Sequence, residues 1–276
     1  MRRALEVGAD GVVFDLESAI PRGEAASARA AVRRVLGEPG SARPARFVRV
    51  SDVRSADFAA DLDAAMHESL SGVLLPQVSG PEDVVAASKA LDARDPAARV
   101  VLVPLVETAH AVRSAYEIAT ASSRVAYFGA GVSRNGDIAR AIGYQWTPEG
   151  LETLYLRSKV LIDARAAGIV NPITGIWGTV ADLEGLLRFA LQSRRLGYEG
   201  MMCIHPSHLP VIHDVFTPTD DEIREARAVM DAATSAEREG TGAFTLDGRL
   251  VDAAHVKTAA GLLERAQRLG VHRGSA

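Results

Sequence analysis

A single cysteine, Cys203, is all the thiol this chain carries. One cysteine closes no intramolecular disulfide, and a reducing cytosol is the simplest home for such a sequence. Positive charge is not in excess either: 31 Lys and Arg stand against 35 Asp and Glu, a net −4, and no local basic run offsets it. That balance excludes a general nucleic-acid binder. Long hydrophobic runs are missing. The stretch VVLVPLVE at 100–107 passes to polar residues well short of the roughly 20 that a membrane span needs. The start, MRRALEVGAD, is too short and too acidic for a signal peptide. There is no low-complexity tract, no Gly/Ser linker and no GxSxG, and glycines at 129, 131 and 136 make neither GxGxxG nor the Walker spacing.

What is present is the composition of a soluble globular protein, 47% hydrophobic and 24% charged over 276 residues, enough for one large α/β barrel or two ordinary domains. Apolar runs recur along it: GVVFD, ARFVRV, GVLLP, VVLVPLV, RVAYFGA, IVNPI and GMMCIHP. They are continuous rather than alternating, as buried parallel strands are. Their spacing of about 25–35 residues leaves room for one crossover helix each. The pattern predicts an α/β fold of the TIM (β/α)8 type. Such a barrel has eight strands, the runs here number seven, and the chain opens on a helix over 1–7 that Gly8 ends. The expectation is a barrel lacking its first strand, with the given start inside the true first unit. After Pro206 the pattern changes to a helix, the hairpin-like GTGAFTLDGRLVD, and a last helix, AAHVKTAAGLLERAQRLG. The predicted organisation is a barrel domain over 1–215 and a lid or intersubunit extension over 216–276.

Polar residues sit at or just after the strand C-ends: Glu17, Arg49, Glu107, Asp137 and His205. In a barrel these share one rim, where barrel enzymes keep their chemistry. Glu107 and Asp137 are hard oxygen ligands beside open coordination positions, which suits Mg²⁺. Arg49, anchored in its strand, can grip a carboxylate with paired hydrogen bonds. The loop AGVSRNG, ending at Gly136, faces substrate ahead of Asp137. Structural alternatives stand beside each reading. Glu107 can be a first-turn acid before a Thr108 cap, and Asp137 an N-cap. Arg49 can be salt-bridged to Asp15 or Glu17, and His205 merely hydrogen-bonded. Cys203 is expected packed in an apolar strand.

GADGVVFDLESAI with Arg29, FVRV, GVLLPQV, VPLVETAHAV, GDIARAIG, ARAAGI, GMMCIHPSHL, VFTP and GRLVDAAH occur in this order. Together they resemble the citrate lyase beta-chain/malyl-CoA lyase-like branch of the HpcH/HpaI aldolase superfamily, over nearly the whole chain. The resemblance implies a Mg²⁺-dependent TIM barrel, a homo-oligomer (trimer or hexamer), that makes or breaks a C–C bond between an acyl-CoA and a 2-oxo acid. Substrates of that kind are malyl-, citramalyl- and citryl-CoA. By motif, Glu107 and Asp137 look like the metal ligands and Arg49 the carboxylate clamp. Glu17 looks like an acid near the metal's waters, and Gly136 like part of the substrate loop. Asp252, in LVDAAH, resembles the acid/base that a C-terminal lid brings to a neighbouring subunit. Ser18, Gln77 and Met201 depart from the family's DLED, LPK and GK, and about five extra residues precede Asp137. Fewer basic groups are then left for CoA phosphates. Two further readings stay open: a metal-dependent aldolase on a free, pyruvate-type 2-oxo acid without CoA, and a non-catalytic barrel subunit.

Overall fold

The computed structural model describes residues 1–18, 20, 21, 23–39, 44–238 and 240–271. The chain divides into two compact units, Met1–Val215 and Phe216–Ala276.

In the first unit, β1 (Gly11–Asp15), β2 (Ala45–Arg49), β3 (Leu70–Leu75), β4 (Val101–Val106) and β5 (Gly129–Ala130) form one sheet in chain order. Every pairing in it is parallel. The crossovers carry the helices Ala25–Leu36, Phe58–Ala65 and Pro81–Asp92, then the pair Ala109–Arg113 and Ala115–Thr120. β6 (Ile173–Thr174) and β7 (Gly200–Met201) pair in parallel, and Ile173 N donates to Phe128 O at 3.1 Å, which sets β6 against β5. That approach needs Gly129, where a Cβ would overlap the Ile173 carbonyl. The result is the α/β barrel type that the strand spacing predicts. Among the described residues seven parallel strands build it, and no ladder joins β7 to β1.

Side chains leave the sheet on two sides. Val12, Phe14, Val48, Val73, Leu102 and Val106 pack under the helices, while Leu74, Val103 and Leu105 meet Phe47, Tyr127, Ile173 and Met202 as the filling of the barrel. A strand covered on both faces reads as the uninterrupted apolar run seen in the sequence.

Several expectations fail locally. The strand expected over RVAYFGA is reduced to Gly129–Ala130 plus a single bridge between Leu102 and Val125. Arg124 ties the start of that run to Asp92 and Asp95 instead. The single helix expected over HAVRSAYEIATAS, residues 110–122, is instead two, broken at Ser114. Residues 2–6 form a short 3-10 turn with no buried residue. Cys203 lies beyond the end of β7 and is only partly buried, so it is not a strand residue. Pro172 and the left-handed Gly168 (φ 82°) delay β6 to Ile173.

The second unit holds the helix Asp220–Arg238, a hairpin of β8 (Phe244–Leu246) and β9 (Arg249–Val251), and the helix Ala253–Arg268. Asp247 and Gly248 turn the hairpin with positive φ of 48° and 75°, the geometry that two-residue hairpin loops favour. Among the described residues, no helix is long and apolar enough to cross a membrane.

Candidate active site

The register of β1 on β2 sets Asp15 opposite Arg49. Their side chains then meet as a fork: Arg49 Nε donates to Asp15 Oδ1 at 2.8 Å and Nη2 to Oδ2 at 2.6 Å. The third guanidinium nitrogen, Nη1, lies 3.4 Å from Glu17 Oε2. Burial opposes the charge on Arg49, yet the Asp15 pair and the charges of Glu17 and Glu107 outweigh it, and its pKa is raised.

Glu107 follows β4 and Gln77 follows β3. Gln77 holds a left-handed φ of 52°, which turns its backbone N–H onto Glu107 Oε2 at 3.2 Å. Its side-chain amide donates to Asp137 Oδ2 at 2.8 Å. One residue therefore holds both carboxylates. Asp137 Oδ1 also accepts from Arg140 at 2.5 Å. Burial raises the pKa of Glu107 most, with the charges of Asp137 and Glu17 adding to it, while the Gln77 N–H and Arg49 oppose the rise. Glu17, Arg49, Glu107 and Asp137 thus share one electrostatic neighbourhood at the strand ends. Gly131 lets the next loop pass close, since a Cβ there would stand 3.2 Å from Glu107 Cγ.

Several structural alternatives are also present. Thr108 does cap its helix, accepting from Ala111 N at 3.0 Å. Asp137 is not an N-cap; Gly136 holds that place and Asp137 is the first helical residue. A Cβ on Gly136 would overlap Ser133 Oγ. His205 is exposed and spends Nδ1 on Ser207, whose N–H donates to it at 3.2 Å. Arg29 serves its own helix layer, paired with Asp57 and Asp61.

In the second unit, Asp252 is the N-cap of Ala253–Arg268. Its Oδ1 accepts from Ala254 N at 2.9 Å and His255 N at 3.2 Å, and His255 Nδ1 lies 2.7 Å away. The His255 ring first, then the two N–H groups, hold this exposed carboxyl below the usual range.

Among the described residues no three of His, Cys, Asp and Glu converge as a ready-made metal cage. Glu107 and Asp137 supply two carboxylates, one of them largely desolvated beside like charges, which is charge that a cation would neutralise. Mg²⁺ keeps several waters and binds through one or two carboxylates plus substrate oxygens, so this donor set fits it. Sequence reasoning assigned no site role to Asp15 and took Gln77 only as a lost lysine, with Arg140 unconsidered. Their signal was available, since Asp15 and Gln77 also stand at strand C-ends and Arg140 lies one helical turn after Asp137.

Residues 1–206 match the family described as HpcH/HpaI aldolase/citrate lyase. Over 250 residues the chain is 36% identical to the citrate lyase subunit beta-like protein of Deinococcus radiodurans, covering 88% of this chain and 84% of that one. It is 31% identical over 278 aligned positions to the (3S)-malyl-CoA thioesterase of Cereibacter sphaeroides, with coverage of 100% and 93%. A crystal structure of the protein CitE from Mycobacterium tuberculosis in complex with magnesium, acetoacetate and coenzyme A matches with a TM-score of 0.74 and 26% identity, covering 97% of this chain and 93% of that chain.

Proposed function

The chain belongs to the HpcH/HpaI aldolase/citrate lyase family, in its citrate lyase beta-like branch, and is an enzyme of the lyase class; on that premise we propose that it is a Mg²⁺-dependent carbon–carbon lyase. It cleaves, or forms by Claisen condensation, a 3-hydroxyacyl-CoA of the malyl or citramalyl type, giving an acyl-CoA and a 2-oxo acid. The observation that carries this reading is the hold of Gln77 on both Glu107 and Asp137, with Arg49 charged and beside Glu107.

Glu107 and Asp137 would hold the magnesium ion, which supplies Lewis acidity and a template for the 2-hydroxy-carboxylate portion. Arg49 is locked by Asp15 through Nε and Nη2, so it turns Nη1, the nitrogen near Glu17, to the substrate carboxylate as a preset clamp. Glu17, joined to that nitrogen, keeps the clamp oriented and adds negative charge beside the metal's waters. In cleavage the substrate hydroxyl gives up its proton to solvent water, its oxygen becomes the carbonyl of the 2-oxo acid as the C–C bond breaks, and the electron pair of that bond passes into the thioester enolate. Asp252, supplied to a neighbouring copy's site in a trimer or hexamer, then donates a proton to that carbon. In condensation it removes the same proton, and its lowered pKa keeps the resting group in the basic form. A cytoplasmic location belongs to the same proposal.

The test is cleavage of malyl-CoA and citramalyl-CoA with and without Mg²⁺, by the parent and by Glu107→Ala and Asp137→Ala. Turnover unchanged after exhaustive chelation would overturn the metal role. A second reading, aldol chemistry on a free 2-oxo acid without CoA, is favoured by one observation: Gln77 is neutral and engaged with Asp137, so it offers a CoA phosphate no charge. Comparing pyruvate/aldehyde condensation with acyl-CoA cleavage separates the two. The grouping of Glu107, Asp137 and Arg49 on one rim speaks against a non-catalytic barrel.

A further inference from the structure

Both tryptophans of the chain, Trp146 and Trp177, gather with Phe189 in one cluster. The ring centroids lie 5.9 Å apart for the two indoles, and 5.7 and 6.0 Å from Phe189. These rings wall a cavity of about 170 Å3, and Arg134 and Arg188 line it as well. At roughly 30 Å3 per liquid water, that is room for a group of about six non-hydrogen atoms. The cavity belongs to the same rim as the carboxylates. Arg134 lies on the 131–136 loop that leads to Asp137, and Trp177 on the loop after β6. The two loops touch, since a Cβ on Gly175 would overlap the Val132 carbonyl.

The wall is rich in donors and short of acceptors. Trp177 Nε1 is buried with no partner among the described residues. Gly185 lets that indole sit flush, because a Cβ there would overlap the ring. Arg134 is exposed and has no ion-pair partner among the described residues, while Arg188 has only Glu184, at 2.7 Å. Behind Phe189 lies Arg157, fully buried, its guanidinium carbon 5.6 Å from the ring centroid. Arg157 reaches Gln192 Oε1 at 2.7 Å and Gly150 O at 3.2 Å. Its Nε and Nη1 find no partner, and no carboxylate pairs with it among the described residues. The one carboxylate of the wall, Asp182, already accepts from Gly185 N at 2.9 Å. A cavity with aromatic faces, free N–H groups and surplus positive charge suits an apolar or planar body that ends in an anion.

We propose that this cavity is a subsite for a substituent carried on the substrate's acyl group, beyond the acetyl unit of malyl- and citramalyl-CoA: a chain of about six non-hydrogen atoms, its terminal carboxylate included. The assignment to the acyl group rests on the lyase reading; the binding chemistry does not. Because both indoles line the cavity, tryptophan emission reports on it directly. The full-length protein, freed of metal by chelation, is titrated with butanoate, acetate and 1-butanol. Butanoate is expected to give a saturable change, with acetate and 1-butanol at least tenfold weaker. Arg134→Gln and Trp177→Phe should each weaken butanoate at least threefold, with folding checked by thermal melting. No saturable response to butanoate, equal binding of 1-butanol, or full affinity in Arg134→Gln would each overturn the proposal. The assay needs neither CoA nor metal. Binding without any acyl-CoA cleavage would therefore count against the lyase reading alone, and cleavage without butanoate binding against the cavity alone.

Discussion

Replacing Gln77 by glycine separates two effects that the native residue combines. Its left-handed φ of 52° costs a residue with a Cβ roughly 1 kcal/mol, and glycine removes that cost. Glycine also adds backbone freedom to the unfolded chain, at about 0.5–1 kcal/mol, so the two changes nearly cancel. The backbone N–H bond to Glu107 survives the change. The amide bond to Asp137, 2.8 Å long, is lost. A hydrogen bond to a charged group contributes about 1.5–3 kcal/mol, but the Asp137 side chain is 42% exposed, and water recovers part of it. About 1 kcal/mol of positioning remains, which is roughly a fivefold weakening of Mg²⁺ binding. Calorimetric titration with MgCl2 should show that loss, while the thermal midpoint moves by less than about 3 °C. Gln77→Asn tolerates the same backbone but is a methylene short, and should lose metal affinity likewise. Mg²⁺ binding as tight as the parent's, or tighter, in Gln77→Gly would refute the reasoning.

Arg140→Ala should act in the opposite direction: it removes a cation from Asp137 Oδ1, so Mg²⁺ binds about twofold tighter at low ionic strength, a gain that salt erases. Asp95 is almost fully buried, and its Oδ2 accepts from Val100 N at 2.7 Å and Arg124 Nη1 at 2.9 Å. Burial pushes its pKa up, but those two donors push it down further, so its stabilisation is present above the ordinary carboxylate value and lost as pH falls through the lowered one. Asp95→Ala should cost about 3 kcal/mol at pH 7 by urea denaturation and flatten the acid limb of the stability profile. A loss below about 1 kcal/mol would contradict this account. Gly129→Ala should cost about 3 kcal/mol or prevent folding, because its Cβ would overlap the Ile173 carbonyl; an unchanged melt would mean that β6 does not lie against β5. Asp252→Asn should keep the helix cap, since Asn caps as well as Asp, so that the melting curve holds while turnover falls about 10²-fold or more. Unchanged turnover would remove Asp252 from the chemistry.

The local features of this fold were written in the sequence. Continuous apolar runs marked the strands of the first sheet, because a strand covered on both faces has no polar side to show. Their spacing marked the crossover helices, and Asp247-Gly248 sits inside the stretch read as a hairpin. The placing of Glu17, Arg49, Glu107 and Asp137 at strand ends was legible for the same reason: where a run stops is a property of neighbouring residues. The 124–130 run misled because its first residue, Arg124, is drawn away by Asp92 and Asp95, some 30 positions earlier.

Tertiary structure alone decided which groups meet. Gln77 and Asp137 are 60 positions apart, Arg49 and Asp15 are 34, and the indoles of Trp146 and Trp177 come from different loops. Those meetings follow from strand register and from the curvature of the sheet, which depend on how every strand packs at once. A residue's own neighbours state what it can bond; only the packing of all the strands together states what it does bond.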